Sequence, residues 1–156
     1  MSMRSLVFDF LKAEIEAIED ESDLLFGSQI LEDQYKEMTK DKGIRVGKLL
    51  KARPAPNSGQ TGIEFSDVLI VLIVFVRIER GQKQERAPYS EKSFAIAERL
   101  ALLIFDNPTL GERVNSARPI DMPELMDDTD NSPYAVTNIF LLINETGQIN
   151  FQNLRG

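Results

Sequence analysis

The chain has 156 residues, 42% hydrophobic and 28% charged, which is the size and balance of one ordinary soluble domain with a core of its own. It has no cysteine and no histidine, which excludes a disulfide framework, a thiolate zinc site, an imidazole base and an imidazole pH switch. The formal net charge of −7 is the wrong sign for a protein whose task is to grip duplex DNA by its phosphates.

The amino terminus, MSMRSLVFDFLKAEIEAIED, carries acids where a signal peptide needs an apolar core, so we expect no secretory signal here. Residues 4–19 read as an amphipathic helix. Val7, Leu11, Ile15 and Ile18 recur at helical spacing, and Leu6, Phe10 and Ala17 widen the stripe. Glu14, Glu16, Glu19 and Asp20 fall on the solvent side or at the end. The stretch 21–43 is ambiguous. Ile30, Leu31, Tyr35 and Met38 give partial helical spacing, consistent with a short helix closed by Gly43. Residues 43–52 then read as a strand, and 53–62, with two prolines and two glycines, as a loop or long turn.

Residues 63–80 read as the longest strand. Nine apolar residues, Val68 to Val76, run without a break, and β-branched types dominate. A membrane helix needs about 20. Side chains alternate along a strand, so Val68, Ile70, Leu72, Val74 and Val76 face one way and Leu69, Val71, Ile73 and Phe75 the other. Both faces therefore need cover.

The next segment, SEKSFAIAERLALLIFDNPTLG, reads as a helix with Phe94, Ala97, Ala101 and Ile104 on one face, widened by Leu100, Leu103 and Phe105. Ser90 or Ser93 would be its N-cap, and Pro108 and Gly111 its stop. Residues 113–122 read as a strand ending near Pro123, PELMDDTDNSP as an acidic loop, and 134–145 as the last strand. The expected fold is α+β: a twisted, mostly antiparallel sheet with helices packed on one face. Residues 1–145 would form a single domain, and 146–156 a short returning strand or a tail. Two helices cover one face of such a sheet. Either 21–43 folds over the second face or another subunit covers it.

Several local groupings admit a functional and a plainer reading. Asp127, Asp128 and Asp130, with Glu124, form a weak candidate site for a hard cation, against the alternative of a solvated loop; the oxygen spacing of a calcium-hand loop is missing. Lys40, Lys42, Arg45, Lys48, Lys51 and Arg53 form a basic run offset only by Asp41. It would contact nucleic acid or an acidic partner, guard an edge strand against stray pairing, or meet the acids Glu14 to Asp23 of a neighbouring copy in a head-to-tail ring. NSGQTG lacks the lysine and spacing of a phosphate loop. Ser90, Lys92 and Ser93 are better explained by helix capping than by a serine–lysine nucleophile. Asn138 reads as a satisfied buried amide or as a group at a subunit boundary.

The phrases FDNPTLGERVNSARPIDM and SPYAVTNIFLLIN, together with the order of elements over roughly residues 4–145, resemble the tail-terminator (minor tail, tail-completion) proteins of long-tailed phages. The resemblance implies a structural virion or prophage protein. It would form a homo-hexameric ring that caps the tail tube and joins it to the head–tail connector. DNA would pass through an acidic bore that repels phosphate. It further implies no catalytic site, no cofactor, no membrane partner, and a place in the virion tail after assembly in the host cytoplasm. On that reading Leu69, Val71, Ile73 and Phe75, with Lys48, Lys51 and Arg53 and with Glu16, Glu19 and Asp20, are subunit surfaces. The alternatives are a small monomeric intracellular binding module and a divalent-metal enzyme using the three aspartates.

Overall fold

The computed structural model describes residues 3–32, 38–54, 65–79, 86–125 and 133–144. In chain order these form helix α1 (Met3–Glu16), strands β1 (Gln29–Leu31), β2 (Lys42–Pro54) and β3 (Phe65–Arg77), helix α2 (Ala87–Phe105), and strands β4 (Ser116–Leu125) and β5 (Tyr134–Asn144). The strands make one sheet in the order β1-β2-β3-β5-β4. Three ladders are antiparallel and the β1–β2 ladder is parallel. The expected α+β architecture is present, with a five-stranded mixed sheet and both helices on one face.

The core lies between the helices and that inner face. From the helices come Val7, Phe10, Leu11 and Ile15, then Ile96, Ala97, Leu100 and Ile104. From the sheet come Ile44 and Val46, the even-numbered residues Val68 to Val76, and Ile139, Leu141 and Ile143. Strand β5 alternates strictly between half-buried and buried along its length. Strand β3 sits at the centre because it alone offers an unbroken apolar run to neighbours on both sides.

The structure revises several boundaries. Helix α1 stops at Glu16, and Ala17, expected to widen its apolar stripe, is exposed. The segment 21–43 contains no helix among its described residues. A string of turns carries the chain from Asp20 to Ser28, held by Asp20 and Asp23 accepting hydrogen bonds from the backbone N–H of Ser22 and Leu25. Ile30 and Leu31, whose spacing suggested a helix, belong to strand β1. Tyr35 lies outside the described residues. Helix α2 begins at Ala87, so neither Ser90 nor Ser93 is its cap. Pro88 in the first turn costs nothing there because the N–H groups of that turn have no helical acceptor. Arg86 ties the helix start to β5 through the Tyr134 carbonyl.

Helix α2 ends at Phe105, with Asn107 Nδ2 donating to the Leu103 carbonyl. The turn beyond it places Leu110, Gly111 and Glu112 in left-handed backbone, with φ of 50°, 66° and 67°. Glycine takes that conformation freely; Leu110 is held there by complete burial and by Arg113 donating to its carbonyl. Strand β4 runs on through Pro123 to Leu125, so Glu124 belongs to a strand rather than to the acidic loop. As an edge strand it tolerates Pro119 and Pro123.

Candidate functional site

The outer face of the sheet is the surface that carries no helix among the described residues. Ladder register puts Leu69, Val71, Ile73 and Phe75 of β3 there, beside Val136, Asn138, Phe140 and Leu142 of β5 and Arg118 and Ile120 of β4. The β3–β5 part is half-buried: Leu69, Ile73, Phe75, Val136, Phe140 and Leu142 each keep solvent contact, whereas their inner-face neighbours are buried. Phe75 and Tyr134 pack edge to face at 5.8 Å between centroids. The apolar second face expected from the sequence is present over β3 and β5, interrupted by Asn138.

The β1–β2 side of the same face is closed. Gly43 and Gly47 stand there, and the side chains of other residues fill the space that theirs would take. Met38 Sδ would lie 2.6 Å from a Cβ at Gly43, and Val71 Cγ1 2.6 Å from one at Gly47. Leu31, Met38 and Val71 are buried, apart from the main core. Of the four β3 residues expected to await a subunit, Val71 is therefore covered within the chain at 9% exposure. The 21–43 segment covers this corner of the face, while its turn at 20–28 packs on the helix side. There Leu25 joins the core and Asp23 meets Arg99 at 3.0 Å.

A β-bulge shapes the boundary. Between Val46 and Leu49 strand β2 gains one residue on β3, so that Gly47 and Lys48 together oppose Val71. Arg4, in the first turn of α1, donates to the carbonyls of Val46, Gly47 and Glu32 at 3.0, 2.8 and 3.0 Å. A cation in the first turn of a helix works against the helix dipole; here it satisfies the carbonyls of Val46 and Gly47, at the bulge and beyond the end of the β1–β2 ladder, and that of Glu32 just past β1.

The basic run divides between the faces. Lys42 points inward and donates to the Leu24 carbonyl at 2.8 Å, and burial pushes its ammonium below the usual lysine range. Arg45 lies outward with its guanidinium 5.2 Å from the centroid of Phe75. Lys48 is exposed at the bulge. Lys51 and Arg53 are placed by backbone register alone, opposite Leu69 and Asp67. Outward-facing Arg45, Lys48, Arg77 and Arg118 outnumber Asp67, the one carboxylate among the described side chains of these strands on that face. On the helix layer the exposed charges are mostly acids: Asp9, Glu14, Glu16, Glu91, Glu98 and Asp106, with Glu19 and Asp20 in the turn after α1. Two neighbouring serine hydrogen bonds hold Asp20 below the usual carboxylate range. By register alone Glu124, opposite Asn138, adds a second acid to the outer face. Among the described side chains the outer face is thus basic and apolar and the helix layer acidic.

Asp127, Asp128 and Asp130 lie outside the described residues. Among the described residues no group of three His, Cys, Asp or Glu could hold a metal ion. Ser93 is buried and hydrogen-bonded to Ser90 and Thr137, and Asn138 stands on the outer face opposite Ile73. An open depression lined among the described residues by Ala87, Ser90, Glu91 and Phe94 lies at the start of α2. No helix among the described residues is long and apolar enough to cross a membrane. The chain matches no protein-family model and, at a significant level, no curated protein sequence.

Proposed function

We propose that this chain is a structural assembly protein of a phage or phage-like tail, a ring-forming tail terminator that caps the tail tube and joins it to the head. One observation carries the reading: the apolar outer face over β3, β5 and β4, left half-exposed beside a fully buried inner face. Full burial of a large apolar side chain contributes about 1.5–3 kcal/mol; each of these is already part-buried and gains a fraction of that on contact, so the patch favours association through the number of such side chains it gathers. The opposite charge of the two layers suits contacts between unlike surfaces, which generate closed rings when the rotation closes. The resemblance of the NPTLG turn and of the YAV-led last strand to tail-terminator proteins supplies the biological setting, including partners at the tube and at the connector. The reading is non-catalytic and needs no cofactor.

Light scattering of the purified protein, with electron microscopy of tail tubes mixed with it, tests this. The expected results are a ring mass, six copies on the family resemblance, and density at one tube end. A strict monomer at high concentration that leaves tube ends bare would overturn it. A second reading, a monomeric binding module, draws on the burial of Leu31, Met38 and Val71 by the chain itself. It predicts that monomer.

A further inference from the structure

Helix α2 turns Ile96, Ala97, Leu100 and Ile104 to the sheet, so its opposite stripe points away from the molecule. That stripe reads Glu91, Ala95, Glu98, Leu102 and Phe105, at spacings of four, three, four and three. It starts acidic and ends greasy. Leu102 and Phe105 are 52% and 68% exposed, the two most exposed large apolar side chains among the described residues. Exposed carboxylates, Glu98 and Asp106, flank them. The sheet's outer face carries the complement: an apolar patch around Val136 and Phe140, with Arg118 exposed at its border and Arg45 stacked on Phe75.

We propose that the carboxyl-terminal end of α2 docks on the outer sheet face of a second copy of this chain. Leu102 and Phe105 enter the patch around Phe140 and Val136, and Glu98 and Asp106 meet Arg118 and Arg45. The proposal rests on the assembly reading above and names which surfaces meet. Charge selects this pairing over its rivals. Two outer faces packed on each other would bring arginines against arginines, and two α2 stripes would bring carboxylates against carboxylates. Helix end on sheet is the arrangement in which both the apolar areas and the charges match. The donor and acceptor lie on opposite layers of one molecule, so every copy offers one of each and the contact is heterologous.

Complementation between two disabled chains tests it. Phe105→Asp removes the donor at a site exposed enough to leave the fold intact. Phe140→Lys removes the acceptor, with Val136→Lys as a second acceptor variant should the first lower the thermal midpoint. Light scattering should find each variant monomeric alone. A one-to-one mixture should give a two-chain complex and nothing larger, because the Phe105→Asp chain keeps its acceptor and the Phe140→Lys chain its donor. Assembly of Phe105→Asp at wild-type strength, or a mixture that stays monomeric, overturns this pairing while leaving the ring reading intact. A wild-type chain that never assembles overturns both.

Discussion

The hydroxyl oxygens of Ser93 and Thr137 meet at 2.8 Å in the interface between α2 and the sheet, both side chains buried. The Ser93 proton goes to the Ser90 carbonyl, 2.9 Å away, so Thr137 donates to Ser93. Among buried side chains that are otherwise nearly all apolar, this pair fixes the sliding position of α2 on β5.

Ser93→Ala leaves the Thr137 hydroxyl without its acceptor in a dry interface and should cost about 1–3 kcal/mol. Thr137→Val alone should cost less, since Ser93 keeps the Ser90 carbonyl. The double variant should recover part of the Ser93→Ala loss. Urea unfolding of the three variants gives the coupling directly; additive losses would show that the two hydroxyls do not act as a pair.

Gly47→Ala should destabilise the protein. The added methyl would lie 2.6 Å from Val71 Cγ1 and 2.9 Å from the Val71 carbonyl oxygen, and the second of these contacts is with backbone. Overpacking of this kind costs about 1–3 kcal/mol. Adding Val71→Ala relieves the first contact only, so the drop in thermal midpoint caused by Gly47→Ala should be smaller in the Val71→Ala background than in the wild type, without vanishing.

Arg4→Met keeps much of the side-chain length and loses three donated hydrogen bonds. Exposing or orphaning the Val46, Gly47 and Glu32 carbonyls should lower stability by at least about 2 kcal/mol. Hydrogen exchange should localise the loss to β1 and the bulge of β2, leaving the β3–β5 ladder protected. Equal loss of protection across the sheet would contradict the assignment of Arg4 to the bulge.

Asp23 should contribute an acid-sensitive share of stability. The Leu25 N–H, first, and the Arg99 guanidinium hold its carboxyl below the usual aspartate range. A carboxylate whose folded pKa is depressed stabilises the fold above the unfolded value, about 3.9, and that contribution disappears as pH falls through the folded value. Asp23→Asn should therefore lower stability at neutral pH and flatten the decline below about pH 4. Denaturant midpoints across pH 2.5–7 would show it; parallel curves for the two proteins would refute it.

What could be read from the sequence depended on whether one period dominated a segment. Val68 to Val76 and Tyr134 to Asn144 alternate or run apolar over many residues, and their strands emerged within two or three residues of expectation. The two-faced burden of β3 was equally legible, because it follows from parity alone. The segment 21–43 failed because Ile30 and Leu31 are too few to set a period, and β1 owes its existence to pairing with Gly43–Arg45. The closure of one corner of the outer face was hidden for a similar reason. It depends on Met38 and Val71 filling space above two glycines, a relation between positions far apart in the chain. The start of α2 was misplaced because Ser90 and Ser93 have the chemistry of caps, yet Ser93 is spent on Thr137. Phe105, expected to widen the apolar face of α2, points outward instead at 68% exposure, because Ile96, Ala97, Leu100 and Ile104 set the face that meets the sheet; Leu102 faces outward beside it. The candidate surface was half visible: parity alone puts Leu69, Ile73 and Phe75 on the second face of β3 and Val136, Phe140 and Leu142 on that of β5, whereas their union into one surface, with Arg118, comes from the β3–β5–β4 order.

Pro119 and Pro123 in β4 bear on how copies of this protein crowd together. Each removes an amide hydrogen from a strand that, among the described residues, has a neighbour on one side only, and so denies a stray strand part of the rung pattern it would need. With that border blunted, sheets from separate chains cannot readily fuse there into an endless ribbon. A protein with so greasy a central strand can then accumulate at high copy number without seeding fibrils from that side, and stickiness is left to surfaces that recognise a particular mate.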